Sequence, residues 1–274
     1  MINQSRKYYS KILLFGEYTT ILGSKALAIP YSQFYGSWKF KTGNAGQKAL
    51  LETFLNYVLS ISDLELKKEA FLEDLENGLY FDSDIPIGYG LGSSGAFTAA
   101  FFDAYISNEE GLDTSDLREV LGSIESYFHG KSSGTDPLVA LLNMPLIIHQ
   151  DKSVELLFGD YDSSWHPFEL VNSDQSRSTE PLVHRFLNER ELDELFKNKT
   201  AVLSELNDQI IDASLNKNKD QFNQCLKAIS HIQFHHMSEW IPDHIKDIWN
   251  SDPNSIMKLC GAGGGGYFLK FNVL

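Results

Sequence analysis

The run Pro86-Ile87-Gly88-Tyr89-Gly90-Leu91-Gly92-Ser93-Ser94-Gly95-Ala96 constrains this chain more than any other segment. It follows an acidic, apolar stretch (80–87) and leads into a helix-like stretch of small residues, Ser93 to Tyr105. Glycines let a backbone close around a bulky anion and turn its N–H groups inward, in conformations that other residues avoid. Ser93 and Ser94 fall where the helix should begin, so hydroxyls and unpaired amides converge on its positive end. Such an end cradles phosphate. A glycine-rich turn that merely joins strand to helix is the plain alternative.

Two familiar phosphate loops are excluded. A Walker loop needs a lysine after its four-residue gap, and none follows Gly92. Gly261-Ala262-Gly263-Gly264-Gly265-Gly266 fits the dinucleotide fingerprint by letter, but only eight residues follow it, too few for the helix and ribose carboxylate that the fingerprint needs. Its flanks, Ile256 to Cys260 and Tyr267 to Phe271, read instead as two strands joined by a glycine loop.

The chain has 274 residues, enough for one or two domains with a substantial core. Its 42% apolar and 22% charged content is that of an ordinary globular protein. A net charge of −14 argues against nucleic acid as a partner, because nucleic acid selects basic surfaces. It does not exclude a small anionic substrate, which a local basic pocket can hold. Cys225 and Cys260 give no disulfide framework and suit a reducing cytoplasm. After Lys11 the apolar run Ile12 to Phe15 is far shorter than a signal or membrane segment, so the expectation is a soluble cytoplasmic protein with no membrane partner.

Along the chain, strands are expected over Ser10–Glu17, Ala26–Tyr31 and Phe34–Lys41. A helix is expected from about Ala45 to Ile61, with Leu50, Leu51, Phe54, Leu55, Val58 and Leu59 on one face. A second runs over Asp113–Tyr127, opened by Thr114 or Ser115 as cap. Pro145–His149, Ser153–Phe158 and Phe168–Asn172 read as strands, and Glu180–His236 as largely helical. This order predicts an α+β fold in two halves, residues 1–160 and 161–274, with the boundary in the Asp-, Ser- and Gly-rich stretch Gly159–Pro167.

Three segments, in this order, resemble the three motifs of the GHMP kinase superfamily, which includes galactokinases and homoserine, mevalonate and phosphomevalonate kinases. They are Lys11-Ile-Leu-Leu-Phe15-Gly16-Glu17-Tyr18, the glycine-serine run, and Lys258-Leu-Cys-Gly261-Ala-Gly-Gly-Gly-Gly266. A fourth, Glu125-Ser-Tyr-Phe-His129-Gly130-Lys-Ser-Ser133-Gly134-Thr-Asp136, is similar to the family's magnesium glutamate followed eleven residues later by its catalytic aspartate. Arg177-Ser178-Thr179 resembles the family's R-S-T segment. Within the superfamily the likeness is greatest to the mevalonate kinases. It implies a ribosomal protein S5 domain 2-like N-terminal half, which binds ATP, a ferredoxin-like C-terminal GHMP half, and nucleotide in the cleft.

The resemblance also implies a set of roles. ATP would be cradled by Pro86, Gly88, Gly90, Leu91, Gly92, Ser93, Ser94 and Gly95, and by Gly261, Gly263 and Gly264 in the third motif. Mg2+ would be held by Ser94 (or Ser93) and Glu125. Asp136 would accept or orient the acceptor's hydroxyl proton, and Lys11 would neutralise the migrating phosphoryl group. Glu17, Tyr18 and Thr179 would face the acceptor. Phosphoryl transfer independently calls for such parts, being mostly positioning and charge neutralisation. The plain alternatives are a solvated helix glutamate at 125, an N-cap or turn aspartate at 136 and a solvated strand lysine at 11.

His231, His235 and His236 share a helical stretch, but no cysteine or carboxylate completes a metal site with them, so they read as surface or half-buried histidines. Tyr8, Tyr9, Phe15, Tyr18, Tyr89 and Phe97 offer material for an adenine wall, although core packing accounts for most of them. The chain departs from mevalonate kinases at Tyr9-Ser10, where they carry Pro-Gly, at Tyr18, where they carry histidine, and at Gly95, where they carry alanine. It is also short for one. The expectation is therefore an ATP-dependent kinase of a small metabolite, a monomer or homodimer, with mevalonate first and phosphomevalonate, a sugar or a homoserine-like acceptor behind. A catalytically silent protein that binds nucleotide or metabolite is the alternative from another class.

Overall fold

The computed structural model describes residues 2–41, 45–61, 64–107, 112–159 and 161–273. Two compact units account for the chain. One contains residues 1–11, 30–86 and 91–144, and the other residues 12–29, 87–90 and 145–274. Strands β1 (Tyr8–Phe15) and β2 (Ala26–Phe40) each run from one unit into the other. The chain passes into the second unit for the last time after residue 144, ahead of the stretch 159–167, in which Asp160 lies outside the described residues.

In the first unit, residues 36–40 of β2 pair antiparallel with β3 (Leu79–Ser83). The unit also holds α1 (Ala45–Ile61) and α2 (Lys68–Glu76), which pack on β3, and α3 (Ser93–Tyr105), α4 (Thr114–His129) and α5 (Thr135–Leu142), which pack on one another. The core is aromatic. Phe54 meets Phe101 edge to face at 4.9 Å, and Phe71 meets Tyr105 at 4.7 Å. Burying each such ring stabilises the fold by roughly 1.5–3 kcal/mol. Trp38 is buried too, its indole N–H donating to Ala100 O at 3.0 Å. Asp113, one residue earlier than expected, caps α4 by accepting from the Ser115 and Asp116 amides, which a carboxylate at that position reaches and the Thr114 hydroxyl does not.

In the second unit, residues 26–28 of β2 pair with β4 (Leu146–Ile148), which pairs with β5 (Val154–Leu156). A separate antiparallel sheet has the order β6 (Phe168–Asn172), β8 (Tyr267–Asn272), β7 (Ser255–Leu259). Four helices belong to this unit: α6 (Thr179–Leu192), α7 (Glu194–Leu215), α8 (Lys219–His236) and α9 (Asp243–Trp249). Asp193 separates α6 from α7 and caps the latter through the Leu195 and Phe196 amides. The mixed helix-and-sheet composition is the expected one. Among the described residues, no helix is long and apolar enough to cross a membrane.

Candidate active site

Within the first unit the fold brings together four of the residues singled out in the sequence. Lys11 lies within β1, 8% exposed, and its ammonium is 2.7 Å from Asp136 Oδ1. Its own amide donates to Leu91 O at 2.9 Å, fastening the strand to the glycine-serine run. Asp136 is the second residue of α5, whose N-cap is Gly134 at φ +72°, so the carboxylate is not the cap. It occupies the first turn, where the helix end favours negative charge.

Glu125, buried on α4, accepts from the Ser94 hydroxyl at 2.8 Å through Oε1 and from the Ser132 hydroxyl through Oε2. Ser132 Oγ also accepts from the Gly134 amide at 3.0 Å, which joins Glu125 to the turn that opens α5. With the Ser94 proton committed to Glu125, His129 donates from Nε2 to Ser94 Oγ at 2.9 Å. Burial pushes the Glu125 carboxyl up to about 7, and the nearby Asp136 charge pushes the same way, against the two serine hydrogen bonds and Lys11. A Cβ at residue 134 would lie 1.9 Å from Arg118 O, and one at 122 would lie 3.0 Å from the Gly134 amide nitrogen. Those two glycines permit the close approach that sets Glu125 beside Asp136.

No side chain caps α3 or α5, and each is preceded by a left-handed glycine, Gly92 and Gly134. The first-turn amides of α3, at Ser93, Ser94 and Gly95, are therefore left for another acceptor. The two helix starts also touch. A Cβ at Gly95 would meet Asp136 Cβ at 2.7 Å and the Pro137 nitrogen at 2.8 Å.

Pro86, Leu91, Gly92, Ser93 and Gly95 also belong to the first unit, and the second holds Glu17, Tyr18, Gly88, Gly90, Thr179 and the third-motif glycines. Lys258 is fully buried on β7 and donates to the Glu17 carboxylate at 2.5 Å, to Leu259 O at 2.7 Å and to Leu14 O at 2.9 Å. Burial raises the Glu17 carboxyl, and Lys258 opposes that rise. Tyr18 is buried, with φ +62°; its hydroxyl donates to Ala262 O at 2.5 Å and its ring stacks on Phe186 at 4.7 Å. Arg177 donates through Nη1 to Cys260 O at 2.8 Å, and its amide donates to Gly88 O at 3.0 Å. Gly264 donates to Trp240 O at 2.6 Å with φ +72°.

Residues 56–143 match the family described as the GHMP kinases N terminal domain, a span that contains Glu125, Asp136 and the glycine-serine run. A mevalonate kinase of Archaeoglobus fulgidus is 25% identical over 265 residues, covering 93% of this chain and 88% of that protein. The chain is thus similar to the GHMP kinases, over their N-terminal domain by sequence. Its fold is that of solved mevalonate kinases and a galactokinase. A mevalonate kinase of L. major, solved in complex with R-mevalonate, superposes with a TM-score of 0.69 at 16% identity, covering 100% of this chain and 90% of that one. A galactokinase of Lactococcus lactis, solved with galactose, gives 0.66 at 13% identity over 97% and 84%.

Among GHMP kinase motif residues, then, Lys11, Ser94, Glu125 and Asp136 gather in one place. Glu17 and Tyr18, expected to face an acceptor, do not face solvent. The carboxylate is committed to Lys258 and the hydroxyl to the Ala262 carbonyl, because both follow the buried strand β1 into apolar surroundings. Thr179, at the first position of α6, is exposed. Sequence reasoning passed over Ser132 and gave Lys258 no role. A lone lysine in the apolar strand Ile256-Met257-Lys258-Leu259-Cys260 was the available signal, because a buried ammonium demands a partner. His231 and His235 stand with ring centroids 4.3 Å apart on α8, and no group of three metal-ligating side chains occurs among the described residues.

Proposed function

We propose that this protein transfers the γ-phosphoryl group of ATP to a hydroxyl of a small metabolite, with mevalonate as the first acceptor. The observation that carries the reading is the Lys11–Asp136 ion pair, set beside Glu125 and Ser94 at two uncapped helix starts. Asp136 accepts the acceptor's hydroxyl proton as the alcohol oxygen bonds to the γ-phosphorus and the bond from that phosphorus to the ADP oxygen breaks. Lys11 holds the carboxylate in place and offsets charge on the migrating group. The amides of Gly92 to Gly95 at the start of α3 hold phosphate.

The donor set suits magnesium. Glu125 is hydrogen-bonded by two serine hydroxyls beside a second carboxylate, hard oxygen donors of the kind magnesium takes, and its elevated carboxyl marks a negative charge that lacks full compensation. A magnesium ion held by Glu125 and Ser94 would neutralise the β- and γ-phosphates when bound. Mevalonate leads the acceptors because the Archaeoglobus fulgidus relative covers nearly the whole chain. The reading carries with it a cytoplasmic enzyme, with a monomer or homodimer as the working form.

The deciding measurement is ADP release with ATP and magnesium across mevalonate, phosphomevalonate, homoserine and simple sugars. Turnover that depends on one acceptor is the expected result. Nucleotide binding without turnover on any of them would remove these acceptors and leave either a metabolite outside the set or a silent binding protein. Asp136→Asn is expected to keep ATP binding and lose at least about 100-fold in kcat, as removal of a positioned proton acceptor does. An unchanged kcat in that variant would remove Asp136 from the chemistry.

A further inference from the structure

We infer that Arg177 is a positioning residue whose guanidinium bolts the phosphate-loop glycines 88–90 to the third-motif turn 260–263, so that ATP meets a preformed cradle. The inference rests on the kinase reading above and gives Arg177 a task in the fold of both loops. Its side chain spans the third-motif turn: Nη1 donates to Cys260 O at 2.8 Å and lies 3.4 Å from Gly263 O. Its Nη2 fills the space that two other residues leave open. A Cβ on Gly90 would fall 1.9 Å from that nitrogen, and one on Gly261 would fall 2.5 Å from it. Both glycines have positive φ, +78° and +71°. The guanidinium therefore sits against one glycine of each loop, where no other residue type leaves it room.

The backbone around Arg177 repeats the pattern. Its amide donates to Gly88 O at 3.0 Å. Two residues earlier, Gln175 O accepts from the Gly266 amide at 2.7 Å. Ser173 donates to Gly266 O from both its amide, at 3.0 Å, and its hydroxyl, at 2.7 Å. Segment 173–177 is thus hydrogen-bonded to both glycine loops, and the Arg177 side chain reaches Cys260 and Gly263. A planar fork with fixed donor directions can serve two carbonyls while lying flat against two glycines. An ammonium on a flexible stem cannot hold that arrangement.

The test measures Mg-ADP binding by calorimetry, kcat and KM for ATP, and melting temperature, in the intact chain and in Arg177→Met, Arg177→Lys, Gly90→Ala and the Gly90→Ala/Arg177→Met double variant. Arg177→Met is expected to weaken ADP binding and raise the KM for ATP by about 10-fold or more, with a smaller change in kcat, since preorganisation lost from a binding loop appears in affinity. Arg177→Lys is expected to recover only part of that loss. The cycle separates positioning from general damage. If Gly90→Ala acts by evicting the guanidinium, its effect on ADP affinity shrinks when Arg177 is already methionine, whereas independent effects multiply. Wild-type ADP affinity in a folded Arg177→Met, or effects that multiply across the cycle, overturns the inference. Failure of the unaltered protein to bind ADP at all would instead overturn the kinase reading on which it rests.

Discussion

At the scale of single residues, the active-site geometry depends on positions where a side chain is missing. Gly95 is the sharpest case. In this chain the start of α5 rests directly on it, with Asp136 C and Pro137 N each 2.8 Å from where a Cβ would be. Those are backbone atoms, so a methyl group there forces α5 to move and cannot be absorbed by a rotamer change. Gly95→Ala is expected to cost about 1–3 kcal/mol of stability as overpacking. It should also displace Asp136 from the start of α3, and a misplacement near 1 Å lowers turnover by up to about 100-fold. The check is kcat together with ADP affinity: kcat should fall while ADP binding persists. Wild-type kcat in Gly95→Ala would show that the α3–α5 contact does not set the aspartate's position.

At the scale of elements, the buried Glu17–Lys258 pair fastens the end of β1 to β7. Removing one partner of such a pair leaves a buried charge without compensation and typically costs about 3–5 kcal/mol, whereas replacing both is often close to neutral. Lys258→Met is expected to lose that much in urea unfolding, and Glu17→Met/Lys258→Met to recover most of it. The remainder reflects Leu14 O and Leu259 O, which lose their donor in both variants. A double variant no more stable than the single one would mean that the carbonyl contacts, and not the ion pair, hold the strands. The same elements show what a sequence reveals. The bounds of helix α1 were legible because its apolar positions recur with the helical period, although Leu50 and Leu59, counted on that face, are exposed. Strand β2 was not: Ser32-Gln33 reads as a break between two strands, yet β2 runs unbroken from Ala26 to Phe40, and the break falls between the stretch paired with β4 and the stretch paired with β3. Helices α2 and α9 were missed because each buries only two residues, Phe71 with Leu75 and Ile245 with Trp249, too few to show a period. In the site, Lys11, Ser94, Glu125 and Asp136 were legible as motif letters. The burial of Glu17 and Tyr18 was not, because it depends on partners more than 240 positions away, at Lys258 and Ala262.

At the scale of the whole molecule, stability against acid is set in part by a group that belongs to none of the motifs. His166 is 1% exposed and stacks on Phe222 at 5.0 Å, and its Nε2 lies 2.8 Å from the Tyr161 hydroxyl and 2.9 Å from that of Ser214. Burial lowers its pKa from 6.5 to about 4, against a weaker opposing pull from its own backbone and from Asp162. Between those two values the unfolded chain binds a proton that the folded one refuses, so the native state loses stability as pH falls through this range. Above 6.5 the contribution is fully present. A depression of that size is worth about 3 kcal/mol, a large share of the 5–15 kcal/mol that holds a typical domain together. Carboxylates titrate over part of the same range, and Glu125 works with the opposite sign, since burial favours its protonated form. The informative quantity is therefore the difference between the unaltered protein and His166→Gln. Urea midpoints taken from pH 7 down to pH 4 should fall more steeply for the unaltered chain, and the variant, destabilised at pH 7 by its poorer fit against Phe222, should close the gap as the pH drops. Parallel curves would mean that His166 is reached by water and takes up its proton without unfolding the protein.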